Sequence, residues 1–145
     1  MVARNKPEMM NKQTFATNFL FDSVTYDKDA DSWCFLFADK TIIVVSGFWR
    51  VLRERRIIVV SLDHGHQFGL PKPLDLVVEL GNLLAGKFLT EISIDNDTAD
   101  LTLVISDGIK IQIFIASAGY ETYDFSYLGK RYIGLGSGEL AIIEN

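Results

Sequence analysis

The chain has 145 residues, the common size of one domain, of which 48% are hydrophobic and 12% aromatic. This composition excludes intrinsic disorder, and a chain of this length buries enough surface to fold without a disulfide or a metal. The net charge of −5 argues against a nucleic-acid partner, because domains that bind nucleic acid are usually basic.

The single cysteine and the hydropathy pattern bear on the compartment. Cys34 has no second cysteine to pair with, and residues 1–13 lack the apolar run that a signal peptide requires. No stretch reaches the roughly 18 consecutive apolar residues of a membrane-spanning helix. We therefore predict a cytoplasmic chain with no membrane partner, in which residues 1–13 form a flexible arm and residues 14–145 a single α+β domain.

Hydrophobic alternation and continuous β-branched runs predict five strands before residue 62. They cover residues 19–26, 33–37, 41–46, 48–52 and 56–61. Apolar side chains occupy both faces of the second strand, which predicts a central position and makes Cys34 a buried small hydrophobe rather than a nucleophile. Short turns such as Asp39-Lys40 join the strands, so we predict that the five form a meander.

The pattern changes at residue 71, after which an apolar stripe at helical spacing begins. The stripe consists of Leu76, Val77, Leu80, Leu83 and Leu84. Pro73 suits the first turn of a helix, and Gly86 suits a left-handed cap after the last turn. The sequence therefore predicts a helix at about 73–85 that packs this stripe on the sheet.

Strands return after the helix. Residues 88–95 alternate, and the alternation places Phe88 and Leu89 on opposite faces. Asp107-Gly108 separates two β-rich segments and predicts a hairpin, because both turn residues need positive φ. The last predicted strands lie within residues 123–127 and 132–143. The fold class is therefore α+β, mainly an antiparallel β meander and hairpins with one helix packed on the sheet.

Both histidines of the chain lie in one glycine-flanked segment. The candidate polar site comprises Asp63, His64, His66, Gln67 and Glu121. In extended backbone, His64 and His66 point to the same side with their Cα atoms about 7 Å apart, so that they can share a metal ion or supply an acid–base group. A metal needs a further ligand from elsewhere, such as Glu121 or Asp124. The alternative interpretation is a structured loop in which the histidines bond to the backbone.

Other metal and nucleotide patterns fail on spacing. The aspartates of segment 27–31 copy the opening of a calcium-binding loop, but Ser32 and Ala38 stand where that loop needs glycine and a bidentate glutamate. The glycines of segment 134–138 match neither phosphate-binding fingerprint. We predict no cofactor and assign no metal site.

Four of the six arginines cluster beside a tryptophan. The candidate interface comprises Trp49, Arg50, Arg53, Arg55 and Arg56. Tryptophan and arginine are enriched in interface hot spots, so the cluster predicts contact with an acidic surface of another protein. The alternative interpretation is an edge hairpin whose charges protect it against strand addition.

Several short motifs, taken together, resemble an uncharacterised family of short bacterial proteins over residues 15–143. The motifs are Trp49-Arg50, the segment 63–69, Asp100-Leu101, Asp107-Gly108, Tyr120-Glu121 and Gly138-Glu139. The family has no established activity, and small proteins of this general look are often suspected of being immunity proteins for toxin systems. The resemblance therefore implies a compact acidic domain that binds another protein.

Two functions stay open from the sequence. The first is a non-enzymatic bacterial protein-binding domain, of the immunity type by resemblance, and the absence of a Gly-x-Ser-x-Gly motif is consistent with it. The second is a small metal-binding or hydrolytic enzyme centred on Asp63-His64-Gly65-His66. A homo-oligomer is compatible with both.

Overall fold

A computed structural model describes residues 12–144, which form an 11-stranded antiparallel sheet and one α-helix. The strands are β1 (Lys12–Asp27), β2 (Ser32–Phe37), β3 (Thr41–Val45), β4 (Phe48–Arg53), β5 (Arg56–Val60), β6 (Phe88–Asp95), β7 (Leu101–Ile105), β8 (Ile109–Phe114), β9 (Tyr123–Tyr127), β10 (Lys130–Gly134) and β11 (Leu140–Glu144). Helix α1 (Leu76–Leu84) lies between β5 and β6. The predicted α+β class is confirmed. No helix in this part of the chain is long and apolar enough to cross a membrane.

Strand β1 lies at the centre of the sheet, whose order is β11-β10-β9-β3-β2-β1-β6-β7-β8-β4-β5. Its first part pairs with β6 and its second part with β2. The register shifts between Ala16 and Phe19 and again between Phe21 and Ser23. Such irregularities bend a strand, so β1 passes from one half of the sheet to the other.

The two halves pack face to face around a single core. The ring of Trp33 on β2 lies 5.0 Å from that of Trp49 on β4, although these strands are far apart in the sheet order. Likewise the ring of Phe15 on β1 lies 5.2 Å from that of Tyr132 on β10. The buried aromatic and β-branched side chains between the halves supply the main stabilisation of the fold.

The predicted meander holds for β1 to β3, and the predicted hairpin of β4 and β5 is confirmed, but the predicted pairing of β3 with β4 is wrong. Strand β3 pairs with β9, whereas β4 pairs with β8 and β5 in the other half of the sheet. The chain crosses between the halves at Ser46 and Gly47. This pairing joins residues far apart in sequence, so the short connection between β3 and β4 does not reveal it.

Strand β1 begins at Lys12, seven residues before the predicted start. Lys12 and Gln13, assigned above to the N-terminal arm, therefore belong to the sheet, where they pair with Asp95 and Ile94 of β6. Long-range pairing outweighs the polar character of these residues. Residues 1–11 of the predicted arm lie outside the described residues.

Helix α1 begins at Leu76, and Pro73 lies in the preceding loop rather than in the first turn. Asp75 caps the helix, because its carboxylate accepts hydrogen bonds from the N–H groups of Val77 at 3.0 Å and Val78 at 3.4 Å. The predicted docking of the stripe is confirmed. Leu76, Leu80 and Leu84 are buried in the common core, and Val77 and Leu83 are partly buried against it.

Local turn chemistry is confirmed where the sequence is most explicit. Asp39 and Lys40 both adopt positive φ between β2 and β3, as do Asp107 and Gly108 between β7 and β8. In β6 the predicted alternation is wrong at the start, because a register shift between Leu89 and Glu91 interrupts it. The shift puts Leu89 in the same buried layer as Ile92.

Candidate functional site

The connection between β5 and α1 is a hydrogen-bonded loop rather than a loose linker. It starts with one turn of 3-10 helix at Ser61–Asp63, and the Ser61 hydroxyl accepts a hydrogen bond from Trp49 N–H at 3.0 Å. The N–H of Gly65 donates to the carbonyl of Leu74, and the N–H of Leu74 donates to that of His66, both at 2.8 Å. These bonds close the loop on itself and fix its shape.

His64 anchors this loop to the helix and to the core. Its Nδ1 accepts a hydrogen bond from the N–H of Leu76 at 3.1 Å, so that nitrogen carries no proton. The imidazole ring meets the rings of Tyr26 and Trp33 edge-on, with centroids 4.8 and 4.9 Å away. The N–H of Leu76 lies in the first turn of the helix, where no carbonyl inside the helix can accept its hydrogen bond. The structure therefore gives His64 a positioning role.

His66 is exposed on the outside of the same loop. Its ring stacks on that of Phe68, with centroids 5.4 Å apart and planes 20° apart. The side-chain amide of Gln67 donates to the carbonyl of Leu70 at 2.8 Å. The backbone carbonyl of Asp63 accepts from His66 N–H at 3.0 Å, which helps to form the turn. The two histidines thus face different surroundings.

Glu121 lies in a different part of the molecule. It is exposed and lines an open cavity of about 550 Å³ together with Ser46, Gly47, Ala116, Ser117, Tyr120 and Thr122. In residues 12–144, no three His, Cys, Asp or Glu side chains are grouped as a metal site requires. The structure does not bring Glu121 to the histidines, so the five residues of the candidate polar site do not form one site.

The loop and the start of α1 together present an apolar surface. Phe68 is 66% exposed and Val78 54% exposed, and Leu70 is exposed between them in sequence. We call these three residues the loop surface. Beside it lies a groove of about 400 Å³, lined by residues 70–75 with Val78 and Glu79. This surface was not predicted from the sequence, although Phe68 and Leu70, two apolar residues in a polar loop with glycines, could have indicated it.

Phe68 is held in an uncommon backbone conformation. Its φ is +45°, in the left-handed region that a bulky side chain rarely adopts. Gly69 follows with a φ of +75°, and the N–H of Leu70 donates to the carbonyl of Gln67 at 2.7 Å. The closed loop therefore fixes this conformation and keeps the phenyl ring in solvent.

Trp49 does not belong to the candidate interface, and its assignment there is corrected. Its side chain is 0% exposed and contacts the rings of Trp33 and Phe35 edge-on. Side chains alternate along β4, so Trp49 and Val51 face the core while Arg50 points outward. Within the described part of the chain, the indole N–H of Trp49 is buried without a hydrogen-bond partner.

The arginines follow the outer face and the tip of the β4–β5 hairpin. Arg50 donates to the side-chain carbonyl of Gln112 at 2.8 Å, and its guanidinium lies 5.1 Å from the ring centroid of Phe114. Three others are exposed at the tip, namely Arg53, Arg55 and Arg56. Arg50 is thus held by its own sheet, and the remaining three share one turn.

Strand β5 is an outer edge of the sheet, and it is irregular. Val59 pairs with Val51 and Ile57 with Leu52, so Ile58 is an extra residue without a partner in β4. A bulge and nearby charges are two devices by which natural edge strands resist strand addition. These features favour the interpretation of the arginines as protection of an edge.

Cys34 is half-buried, which corrects its assignment as a buried residue. It lies on the outer face of β2, opposite the buried face that carries Trp33 and Phe35. Partial burial raises the pKa of its thiol, against the opposing effect of a hydrogen bond with Thr25. A raised pKa leaves less thiolate at neutral pH, which does not favour a nucleophile here.

Comparison of the chain with protein-family models, with curated proteins and with solved structures finds no match. The resemblance to a family of short bacterial proteins therefore stays a prediction from the sequence motifs.

Proposed function

We propose that the chain is a non-enzymatic protein-binding domain and that the loop surface is where it binds. The observation that carries the proposal is Phe68, whose ring is 66% exposed while its backbone has a φ of +45°. Backbone strain of this kind costs about 1–3 kcal/mol and persists only where the surrounding structure imposes it. An aromatic ring forced into solvent in this way is suited to contact with another molecule.

The surroundings of Phe68 support a protein as the ligand. Leu70 and Val78 are exposed as well, and both line the neighbouring groove, which suits an apolar side chain. Contiguous apolar surface on a folded domain marks interaction sites, and buried aromatic anchors contribute most of the affinity in many interfaces. The hydrogen bonds that close the loop organise this surface before any partner arrives, which limits the entropy lost on binding.

The alternative of a metal-binding or hydrolytic enzyme has less support. One ring nitrogen of His64 is already used by the helix, and His66 lies outward against Phe68. Glu121 lines a separate cavity. An acid–base or metal site needs these groups to converge on one reacting atom.

Affinity capture with three versions of the chain tests the proposal. The tagged wild-type chain, Phe68→Ala and Tyr120→Ala are each incubated with lysate of the source organism, and retained proteins are quantified by mass spectrometry. Tyr120 is the matched control, because it is an aromatic residue 80% exposed in another loop. We expect a protein, here including untagged copies of the chain, that is retained by the wild type and by Tyr120→Ala and lost with Phe68→Ala.

The purified partner is then titrated against the same three chains. We expect Phe68→Ala to raise the dissociation constant about 30-fold or more, as for the loss of an interface hot spot. If no protein, a further copy of the chain included, distinguishes Phe68→Ala from the control in either measurement, the proposal is overturned.

A further inference from the structure

We propose that the protein bound at the loop surface is a second copy of this chain. In this dimer, each copy inserts its Phe68 into the groove of the other. This inference rests on the proposed function and specifies the partner. It requires a protruding residue and a receiving groove on the same surface of one molecule, and the loop has both.

The protruding residue and the groove are neighbours in the chain. Only Gly69 separates Phe68 from Leu70, the first residue that lines the groove. In the proposed dimer, a twofold axis close to this loop places each Phe68 over the groove of the other copy. The two contacts are identical, so the assembly closes as a dimer and does not propagate into a filament.

The groove is built to receive an apolar side chain without rearranging. Pro71 and Pro73 form part of its wall, and proline restricts the backbone there. Leu74 and Val78 add aliphatic surface. Its volume of about 400 Å³ is ample for one phenyl side chain.

The charges around the groove are self-complementary. Lys72 and Glu79 both line it and carry opposite charges. Across a twofold axis, Lys72 of one copy meets Glu79 of the other, and the same pair forms twice. Asp75 is engaged at the helix N-terminus by two N–H groups and contributes less. A strongly acidic or strongly basic partner would satisfy only one of the two charged residues, whereas a second copy satisfies both.

The expected dimer is small and reversible. Two inserted phenyl rings and the flanking aliphatic residues make an interface at the low end of the size range of protein–protein complexes. We therefore expect a dissociation constant in the micromolar range, of the order of 1–100 μM. Sedimentation velocity of the full chain, from about 1 μM to 1 mM, measures it directly.

A pair of complementary variants tests the reciprocal arrangement. Phe68→Ala removes the inserted side chain and leaves the groove intact, while Val78→Arg blocks the groove and leaves Phe68 intact. Because both positions are exposed, neither variant should disturb the fold, which thermal unfolding checks. Each homodimer lacks both contacts, so we expect each variant alone to weaken dimerisation by more than about 100-fold.

The mixture of the two variants decides the question. A heterodimer keeps one intact contact, from the Phe68 of the Val78→Arg chain to the groove of the Phe68→Ala chain. We expect the mixture to dimerise with a dissociation constant between that of the wild type and those of the separate variants. Tyr120→Ala should dimerise like the wild type. A mixture that stays as monomeric as its components would overturn the reciprocal insertion.

The failure of this inference differs from the failure of the proposed function. A wild-type chain that is monomeric at 1 mM, while another protein binds it in a Phe68-dependent manner, overturns the second copy as partner and leaves the protein-binding function intact. A monomeric chain with no Phe68-dependent binding of any protein overturns both.

Discussion

The two ends of strand β5 differ in how they meet solvent. At one end, the hairpin tip carries three exposed arginines beside a bulge at Ile58, which are features of the kind that protect a sheet edge against pairing with another strand. At the other end, the chain enters the loop that exposes Phe68 beside an apolar groove. The arginine tip therefore suits a protected sheet edge, and the loop surface is where we propose contact with a partner.

Residues that are neighbours in the sequence also differ in their surroundings. Trp49 and Arg50 are adjacent, yet one is fully buried and the other lies against Phe114 on the outer face. His64 and His66 are two residues apart, yet one is part of the helix cap and the other is exposed. Three predictions test these differences, and two of them compare a matched pair of residues.

The largest effect is expected from Trp49, in the hairpin that carries the arginines. Trp49→Ala removes a fully buried ring that contacts Trp33 and Phe35, so we expect the free energy of unfolding to fall by about 3–5 kcal/mol. Arg53→Ala, at the exposed tip, should change it by less than about 0.5 kcal/mol. Urea unfolding followed by tryptophan fluorescence and by circular dichroism measures both. Similar effects of the two substitutions would mean that Trp49 is not part of the core.

A structural feature can be predicted from this sequence when the residues that determine it lie close together along the chain. The turns at Asp39-Lys40 and Asp107-Gly108 are set by local backbone preference, so they were predicted correctly. The crossing from β3 to β4 depends on the pairing of β3 with β9, about 80 residues later, which no local pattern contains. Pairing at this range is decided by packing of the whole core.

In the candidate sites too, features set by local pattern were readable from the sequence and features set by long-range contacts were not. The burial of Trp49 was readable from β4 itself, because Trp49 and Val51 alternate with Arg50. The sequence did point to the loop that holds Phe68, but through its histidines. It could not show that Nδ1 of His64 accepts from the helix, since that contact needs the loop to fold back on α1. Nor could it show that Glu121 lies apart from the histidines.

The next effect concerns the anchor of the loop surface. His64→Ala leaves the N–H of Leu76 without its acceptor and removes the ring contacts with Tyr26 and Trp33. We expect a loss of about 2–3 kcal/mol in the free energy of unfolding, from an unsatisfied buried donor together with lost aromatic contact. His66→Ala, two residues away and exposed, should cost less than about 0.5 kcal/mol.

Hydrogen exchange localises the effect of His64. If His64 positions the loop, the amides of Gly65 and Leu74, which bond within the loop, exchange faster in His64→Ala than in His66→Ala. Equal exchange rates in the two variants would show that the loop keeps its shape without His64. The loop surface would then owe its organisation to the backbone hydrogen bonds alone.

The smallest effect on stability, and the sharpest test of what the loop surface is for, comes from Phe68→Gly. Glycine adopts the φ of +45° at little steric cost, whereas the bulky side chain adopts it under strain. Relief of this strain stabilises the folded chain. Two effects lower its stability, namely the greater freedom that glycine gives the unfolded chain and the loss of stacking on His66. We expect the free energy of unfolding to stay equal or to rise, by at most about 1 kcal/mol, while dimerisation is lost as in Phe68→Ala. If the fold itself required Phe68, its replacement would instead lower the free energy of unfolding. Urea unfolding and sedimentation velocity on the same preparation distinguish the two cases, and a clear fall in stability would contradict the view that Phe68 is retained for contact rather than for folding.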